Sequence, residues 1–345
     1  MLPMPDRRSV TLDFLQAAGW GDATHSPLAG DASARNYTRL LRNDTSETGI
    51  LMDAAPATGE DVRPFLRVAR HLKSLGLSAP EILAEDPENG LLLLEDFGDA
   101  LFATVLSDTP ELELTFYSAA ADLLVYLHRT PPPTWLASHT PGELATLTDP
   151  VFDWYLYDRK PKRRAAIRNE IQKSLESLLR QIVPQRSVMV LRDFHAANLV
   201  WLPDRSGVKK VGLLDFQDAI TGHPAYDLVS LLQDARRDVR PELARTILAK
   251  FTETTHSDAQ EFARSYAVLG AQRNLRILGF FAHLSAHFGK PRYVDLIPRV
   301  WQHLMDNLAH PDLVEFRTSV LDGFPPPSTE FLNTLRSKCT TLQKP

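Results

Sequence analysis

Cysteine is almost missing from this chain of 345 residues: there is one, Cys339, close to the C-terminus. A lone thiol excludes an intrachain disulfide and any cysteine-rich zinc site. Long apolar runs are missing as well. None approaches the ~20 residues that a membrane-spanning helix needs. The opening stretch, MLPMPDRRSVTLDF, lacks the apolar core of a signal peptide. Positive charge is not in excess either. The net charge is −5, which leaves no general nucleic-acid footprint. No internal repeat or low-complexity tract interrupts the chain. What remains is ordinary for a globular protein, 43% hydrophobic and 23% charged. The length is sufficient for two lobes. These features predict a cytoplasmic protein without nucleic-acid or membrane partners.

The most informative stretch is 191–227, LRDFHAANLVWLPDRSGVKKVGLLDFQDAITGHPAYD. Two short apolar runs, LVWL at 199–202 and VGLL at 211–214, flank the turn sequence PDRSG. They predict a β-hairpin. Asn198 leads into the first run and Asp215 closes the second, while Asp193 lies five residues before Asn198. Pairing of the strands predicts that the three side chains converge. An amide oxygen and a carboxylate are hard ligands that suit Mg²⁺ carried by a nucleotide. The remaining carboxylate, Asp193, is then free to orient or deprotonate a hydroxyl. The order D-x-x-x-x-N, strand, turn, strand, D is that of kinase-like phosphotransferases. In that reading Asp193 is the base, and Asn198 and Asp215 hold metal. His195 reads as a buried histidine, and Asp227, at the start of a helix, as a brace for the catalytic loop.

The upstream third fits a nucleotide-binding lobe. A helix is predicted from Ser9 to about Ala18, stopped by Gly19. Small residues crowd positions 30–34, where a turn would let backbone N–H groups approach phosphates, with Ser33 and Arg35 as further donors. A plain hairpin turn is the competing reading. The strand at 49–53 ends in Met52 and Asp53, where a phosphate-binding lysine usually stands. Arg35, Arg39 and Arg67 are each candidates to supply that charge. Thr58 and Asp61 suggest a helix start resembling a capping box, with the helix running to Leu75. The strand LLLLE at 91–95 breaks at Gly98. Glu95 and Phe97 there either face adenine at a hinge or simply end a strand. A boundary at this point gives lobes 1–98 and 99–322, with a tail 323–345 carrying a short helix.

The rest reads as helical. Helices are predicted over 111–129, 152–182 (interrupted at Pro161), 242–254, 259–288 and 293–308, with 136–150 as loop. The basic cluster 159–164 reads as a solvated face. Arg273, Arg276, His283 and His287 are too polar for a wholly buried helix; they line a pocket or face solvent.

The stretches DASARNYTR (31–39), LMDAAP (51–56), LLEDFGD (93–99), RDFHAANL (192–199), DFQDA (215–219), YDLVSLL (226–232) and QRNLRILGFF (272–281) resemble the aminoglycoside-phosphotransferase superfamily. They are most similar to its N-acetylmuramate/N-acetylglucosamine anomeric kinase branch, which shares the missing lysine. Leu191 departs from a histidine that many members place two residues before the aspartate. The resemblance implies an α+β, bilobal, protein-kinase-like fold with a small β-rich N-terminal lobe and a larger helical C-terminal lobe. It implies a monomer that uses ATP and Mg²⁺ to phosphorylate the anomeric hydroxyl of an amino sugar in cell-wall recycling. Gln217, Asp218 and the 272–276 segment fall where the sugar would sit. Arg273 and Arg276 suit the carboxylate of N-acetylmuramate. Two competing readings are a kinase of the same fold acting on choline, homoserine or an aminoglycoside, and a pseudokinase that binds nucleotide as a regulator.

Overall fold

The leucine-rich strands anticipated at 49–53 and 91–95 lie side by side in the computed structural model, which describes residues 6–28, 35–184 and 186–338. They belong to a five-stranded antiparallel sheet formed by β1 (Thr24–Pro27), β2 (Asn36–Leu41), β3 (Thr48–Asp53), β4 (Ile82–Asp86) and β5 (Leu91–Glu95), in the order β1-β2-β3-β5-β4. Side chains alternate across the pleat, so Leu51 and Leu93, paired in register, reach the same face. There they meet Leu40, Leu91, and Leu15 and Trp20 from the N-terminal region in one buried cluster. Each such leucine contributes roughly 1.5–3 kcal/mol through burial. Gly90 makes the turn into β5 with φ +67°, and a Cβ there would sit 2.1 Å from the Ala54 carbonyl oxygen.

Four short strands follow: β6 (Val188–Val190), β7 (Leu199–Trp201), β8 (Val211–Leu213) and β9 (Ile220–Gly222). β7 pairs with β8 and β6 with β9, both antiparallel. The chain divides into two compact units that do not follow chain order. One comprises Met1–Glu111 and Ala197–Asp218, the other Leu112–Ala196 and Ala219–Pro345. The β7–β8 hairpin joins the first unit through main-chain bonds, from Leu213 N–H to the Ser78 carbonyl at 2.8 Å and from Trp201 N–H to the Ala100 carbonyl at 2.8 Å.

The second unit is mainly helical, built along the 28-residue helix Ala259–Ala286. Gly279 lets another segment approach this helix closely: a Cβ there would lie 2.1 Å from the Val151 nitrogen. The segment it admits is a π-helical turn, Val151–Tyr155. Buried amides on three segments satisfy one another, with Asn274 and Asn307 both donating to the Gln233 side-chain oxygen at 2.7 and 2.9 Å. Among the described residues no helix is long and apolar enough to cross a membrane.

Several element boundaries differ from the sequence expectation. The helix placed from Thr58 begins later, at Arg63–Ser74, after a 3-10 turn at Pro56–Thr58. Pro64 presets φ for its first turn, and Asp61 accepts the Arg63 N–H at 2.9 Å in place of a capping box. A complete capping box stands instead at Thr140 and Glu143, opening the helix Pro141–Thr146 inside the stretch read as loop. Pro161 starts the helix Pro161–Gln181 instead of interrupting one.

Two histidines of the second unit, His128 buried and His223 half-buried, give it an acid sensitivity. Burial lowers the His128 imidazole to about 3 and that of His223 to about 4. His223 Nδ1 also accepts the Ala225 N–H at 3.0 Å, a bond that requires the neutral ring. The unfolded chain takes up these protons near pH 6.5, so it binds more protons than the folded chain below that value, and stability falls with pH. For His128 alone this amounts to about 2 kcal/mol between pH 7 and pH 5. Urea unfolding of the His128→Gln variant is expected to show that much less loss over the same interval than the parent. An identical pH dependence would show that His128 takes up no proton on unfolding.

Candidate active site

The first unit gathers the residues suited to a nucleotide and its metal. Register Leu199↔Leu213 in the β7–β8 hairpin, with Leu214 N–H bonded to the Asn198 carbonyl at 3.0 Å, sets Asn198 and Asp215 at its base. The Asn198 amide nitrogen lies 3.4 Å from Asp215 Oδ2. Asp215 has φ +55°, a left-handed conformation that costs a non-glycine residue on the order of 1 kcal/mol. Its neighbours hold it there. The Phe216 ring stacks on Phe65 at 4.8 Å, and the buried Gln217 donates to Asp215 Oδ1 at 2.8 Å. One carboxylate and one amide oxygen form a donor set that suits a hard cation whose other ligands are water and phosphate oxygens.

Of the three arginines considered for the missing lysine, one faces this site. The Arg35 side chain is 12% exposed, and its Nε donates to Glu60 Oε2 at 2.8 Å. Burial opposes its charge, but Tyr37, Glu60 and Asp215 outweigh that and hold the guanidinium above its ordinary range. Arg39 is taken up by Asp96 at 2.7 Å and Asp99 at 2.8 Å. Arg67 is exposed on the helix Arg63–Ser74. At the end of β3, where a lysine was looked for, Asp53 instead receives the Arg7 guanidinium. Ser33 and the small-residue turn lie outside the described residues.

At the end of β5, Glu95 binds Arg205 and accepts the Glu81 N–H at 3.1 Å, so its carboxylate is occupied within the unit. The Arg205 guanidinium also lies over the Phe97 ring, 5.1 Å from its centre. Gly98 takes φ +74°, and its N–H is capped by Asp96 Oδ1 at 2.9 Å.

In the second unit, β6 delivers the loop that carries Asp193. Asp227 is fully buried and accepts two of the loop's N–H groups, from Leu191 at 2.7 Å and Arg192 at 2.8 Å. Burial pushes its carboxyl up to about 7, against the pull of those two bonds. Arg192 adopts φ +70° and turns the chain into Asp193, which is half-buried. His195 N–H bonds the Asp193 carbonyl at 3.1 Å, and burial holds the His195 imidazole below its ordinary range.

The residues expected around the sugar separate by exposure. Asp218 is exposed and Arg276 half-buried, but Gln217 is buried on Asp215. Arg273 is 6% exposed and donates to Ser230 Oγ at 2.8 Å, so its guanidinium is not presented at an open surface. Its helix turns this position toward the interior. Gln272 is likewise buried, donating to the Leu144 carbonyl at 2.8 Å.

The sequence pattern of the phosphotransferase enzyme family, APH, matches residues 24–263. The chain belongs to this family. It is therefore a phosphotransferase that acts on a hydroxyl group. Among curated proteins it is 37% identical to the N-acetylmuramate/N-acetylglucosamine kinase of Caulobacter vibrioides, over 90% of this chain and 95% of that protein. It is 32% identical to the protein of the same name from Pseudomonas aeruginosa, over 88% and 90%. Among solved structures it is similar to choline kinase LicA from Streptococcus pneumoniae, with TM-score 0.62 and 15% identity over 87% of this chain and 99% of that one. The ADP-bound aminoglycoside phosphotransferase APH(2'')-Ib gives TM-score 0.60 and 13% identity over 86% and 98%. At such identities these two establish the fold, which is the α+β kinase-like fold expected. Glu60, Tyr37 and Ser230 are the residues that sequence reading passed over.

Proposed function

We propose that the protein is an ATP- and Mg²⁺-dependent kinase that phosphorylates the anomeric hydroxyl of N-acetylmuramate or N-acetylglucosamine, in the recycling of cell-wall sugars within the cytoplasm. The observation that carries this reading is the 37% identity, along almost the whole chain, to a kinase named for those two sugars. The retained Asp193, Asn198 and Asp215 support it against a regulator that only binds nucleotide. In this proposal residues 1–98 form the nucleotide-binding lobe, residues 99–322 the catalytic and substrate lobe and 323–345 a tail, and the protein acts as a monomer. Asn198 and Asp215 hold the metal, which when bound offsets charge on the transferring phosphoryl group. Arg35, held by Glu60, supplies the cation that the end of β3 lacks. Ser33 adds a donor to the phosphates, and the main chain at Glu95 and Phe97 meets adenine. Asp193 aligns the C1 hydroxyl and accepts its proton. An anomeric hydroxyl is more acidic than an ordinary alcohol, so an ordinary carboxylate base serves it. Asp218 and Arg276 contact the sugar. Arg276 pairs with the lactyl carboxylate of N-acetylmuramate, a charge-assisted contact worth about 1.5–3 kcal/mol.

The test is turnover of a panel of amino sugars, followed by NMR of the product. The expected phosphorus resonance couples to the anomeric proton. Coupling to a C6 proton, or turnover confined to choline or an aminoglycoside, would replace this reading with a kinase of another acceptor.

A further inference from the structure

Behind the catalytic loop lie three buried side chains, of which sequence reading identified only the first as a brace. Asp227 and Ser230 are one helical turn apart on the helix Ala225–Leu232, and both are completely buried. Asp227 receives the Leu191 and Arg192 N–H groups. Ser230 Oγ receives Arg273 from the long helix Ala259–Ala286 at 2.8 Å. The Arg273 charge also attracts the Asp227 carboxylate. A buried carboxylate keeps its charge only when donors and an opposite charge compensate it. Here two backbone donors and one arginine oppose burial, which still raises the carboxyl to about 7.

We infer that Arg273 and Ser230 are positioning residues for phosphoryl transfer: their bond holds the helix that carries Asp227 in place, and Asp227 in turn fixes the strained Arg192 backbone that aims Asp193. The inference rests on the proposed role of Asp193 as base. It differs from a sugar contact by Arg273 in what each predicts. A residue that touches the carboxylate of one sugar changes the KM for that sugar. A residue that aims the base changes kcat for every acceptor alike. Loss of such alignment, at the scale of an ångström, costs up to about 10²-fold in rate.

The experiment compares Arg273→Gln, Arg273→Lys and Ser230→Ala with the parent, as full chains. Arg273→Gln is expected to lower kcat about 10- to 100-fold with both N-acetylmuramate and N-acetylglucosamine, by the same factor. KM for either sugar and the affinity for MgATP should stay near parent values. Arg273→Lys, which restores the charge, should recover most of the rate. Ser230→Ala, which keeps the arginine, should lose a few-fold in kcat. Amide hydrogen exchange gives a readout that needs no substrate: protection of the Leu191 and Arg192 N–H groups should fall in Arg273→Gln and in Ser230→Ala. If neither sugar is turned over by the parent, the proposed substrate fails while the exchange data still decide the brace. If Arg273→Gln does not fold, the Ser230→Ala and Arg273→Lys data decide it. Unchanged protection at Leu191 and Arg192, or a defect limited to the KM for N-acetylmuramate, overturns the inference.

Discussion

Replacing Asp193 by asparagine is expected to lower kcat by about 10²–10⁴, the range associated with losing a positioned general base. The substitution removes one negative charge and keeps the shape, so the main-chain bonds from Leu191 and Arg192 to Asp227 should persist. MgATP affinity should therefore remain close to that of the parent. The measurement is a single-turnover rate beside a nucleotide titration of the same preparation. A variant that retains the parent rate would remove Asp193 from the base role. One that loses nucleotide affinity as well would point to a metal contact instead.

The second large effect is expected at Asp215. Asp215→Ala should raise the Kd for ATP in the presence of Mg²⁺ by more than about 100-fold. Groups that only orient a metal ligand already cost 10- to 100-fold in metal affinity when removed, and Asp215 is proposed as the ligand itself. Gln217 provides the internal comparison. It donates to Asp215 Oδ1 at 2.8 Å and is buried, so Gln217→Ala should fall within that smaller range. Calorimetric titration with and without Mg²⁺ separates the two. Equal ATP affinity in the parent and Asp215→Ala, with equal metal dependence, would exclude Asp215 from the metal site.

The identity of the metal and base candidates was legible because those residues sit next to strong local signals. Two apolar runs around PDRSG can do little but pair, and pairing brings Asn198 and Asp215 together at the hairpin base. The roles of the arginines were not legible. Arg35 and Arg39 lie four residues apart at and beside one strand, yet one pairs with Glu60 and the other with Asp96 and Asp99. Those acids are 25 to 60 residues away from the arginines they pair with, beyond the reach of any local pattern. Arg273 and Arg276 lie on the same helix, and a difference of three positions decides which is buried against Ser230.

By itself, the sequence determined the strands ending at Asp53 and Glu95, the long helices, the hairpin with its two metal-ligand candidates, and the kinase-like order of Asp193, Asn198 and Asp215. Those features depend on side-chain periodicity and turn chemistry, which act over a few residues. Only the tertiary structure decided which polar side chains are buried, which acids neutralise which arginines, and that Arg273 reaches Ser230 on the helix that carries Asp227. It also decided that the hairpin packs with the first unit despite its place late in the chain. Burial and ion pairing depend on segments far apart in the sequence, and a charged group can enter the interior only where such a segment brings its partner.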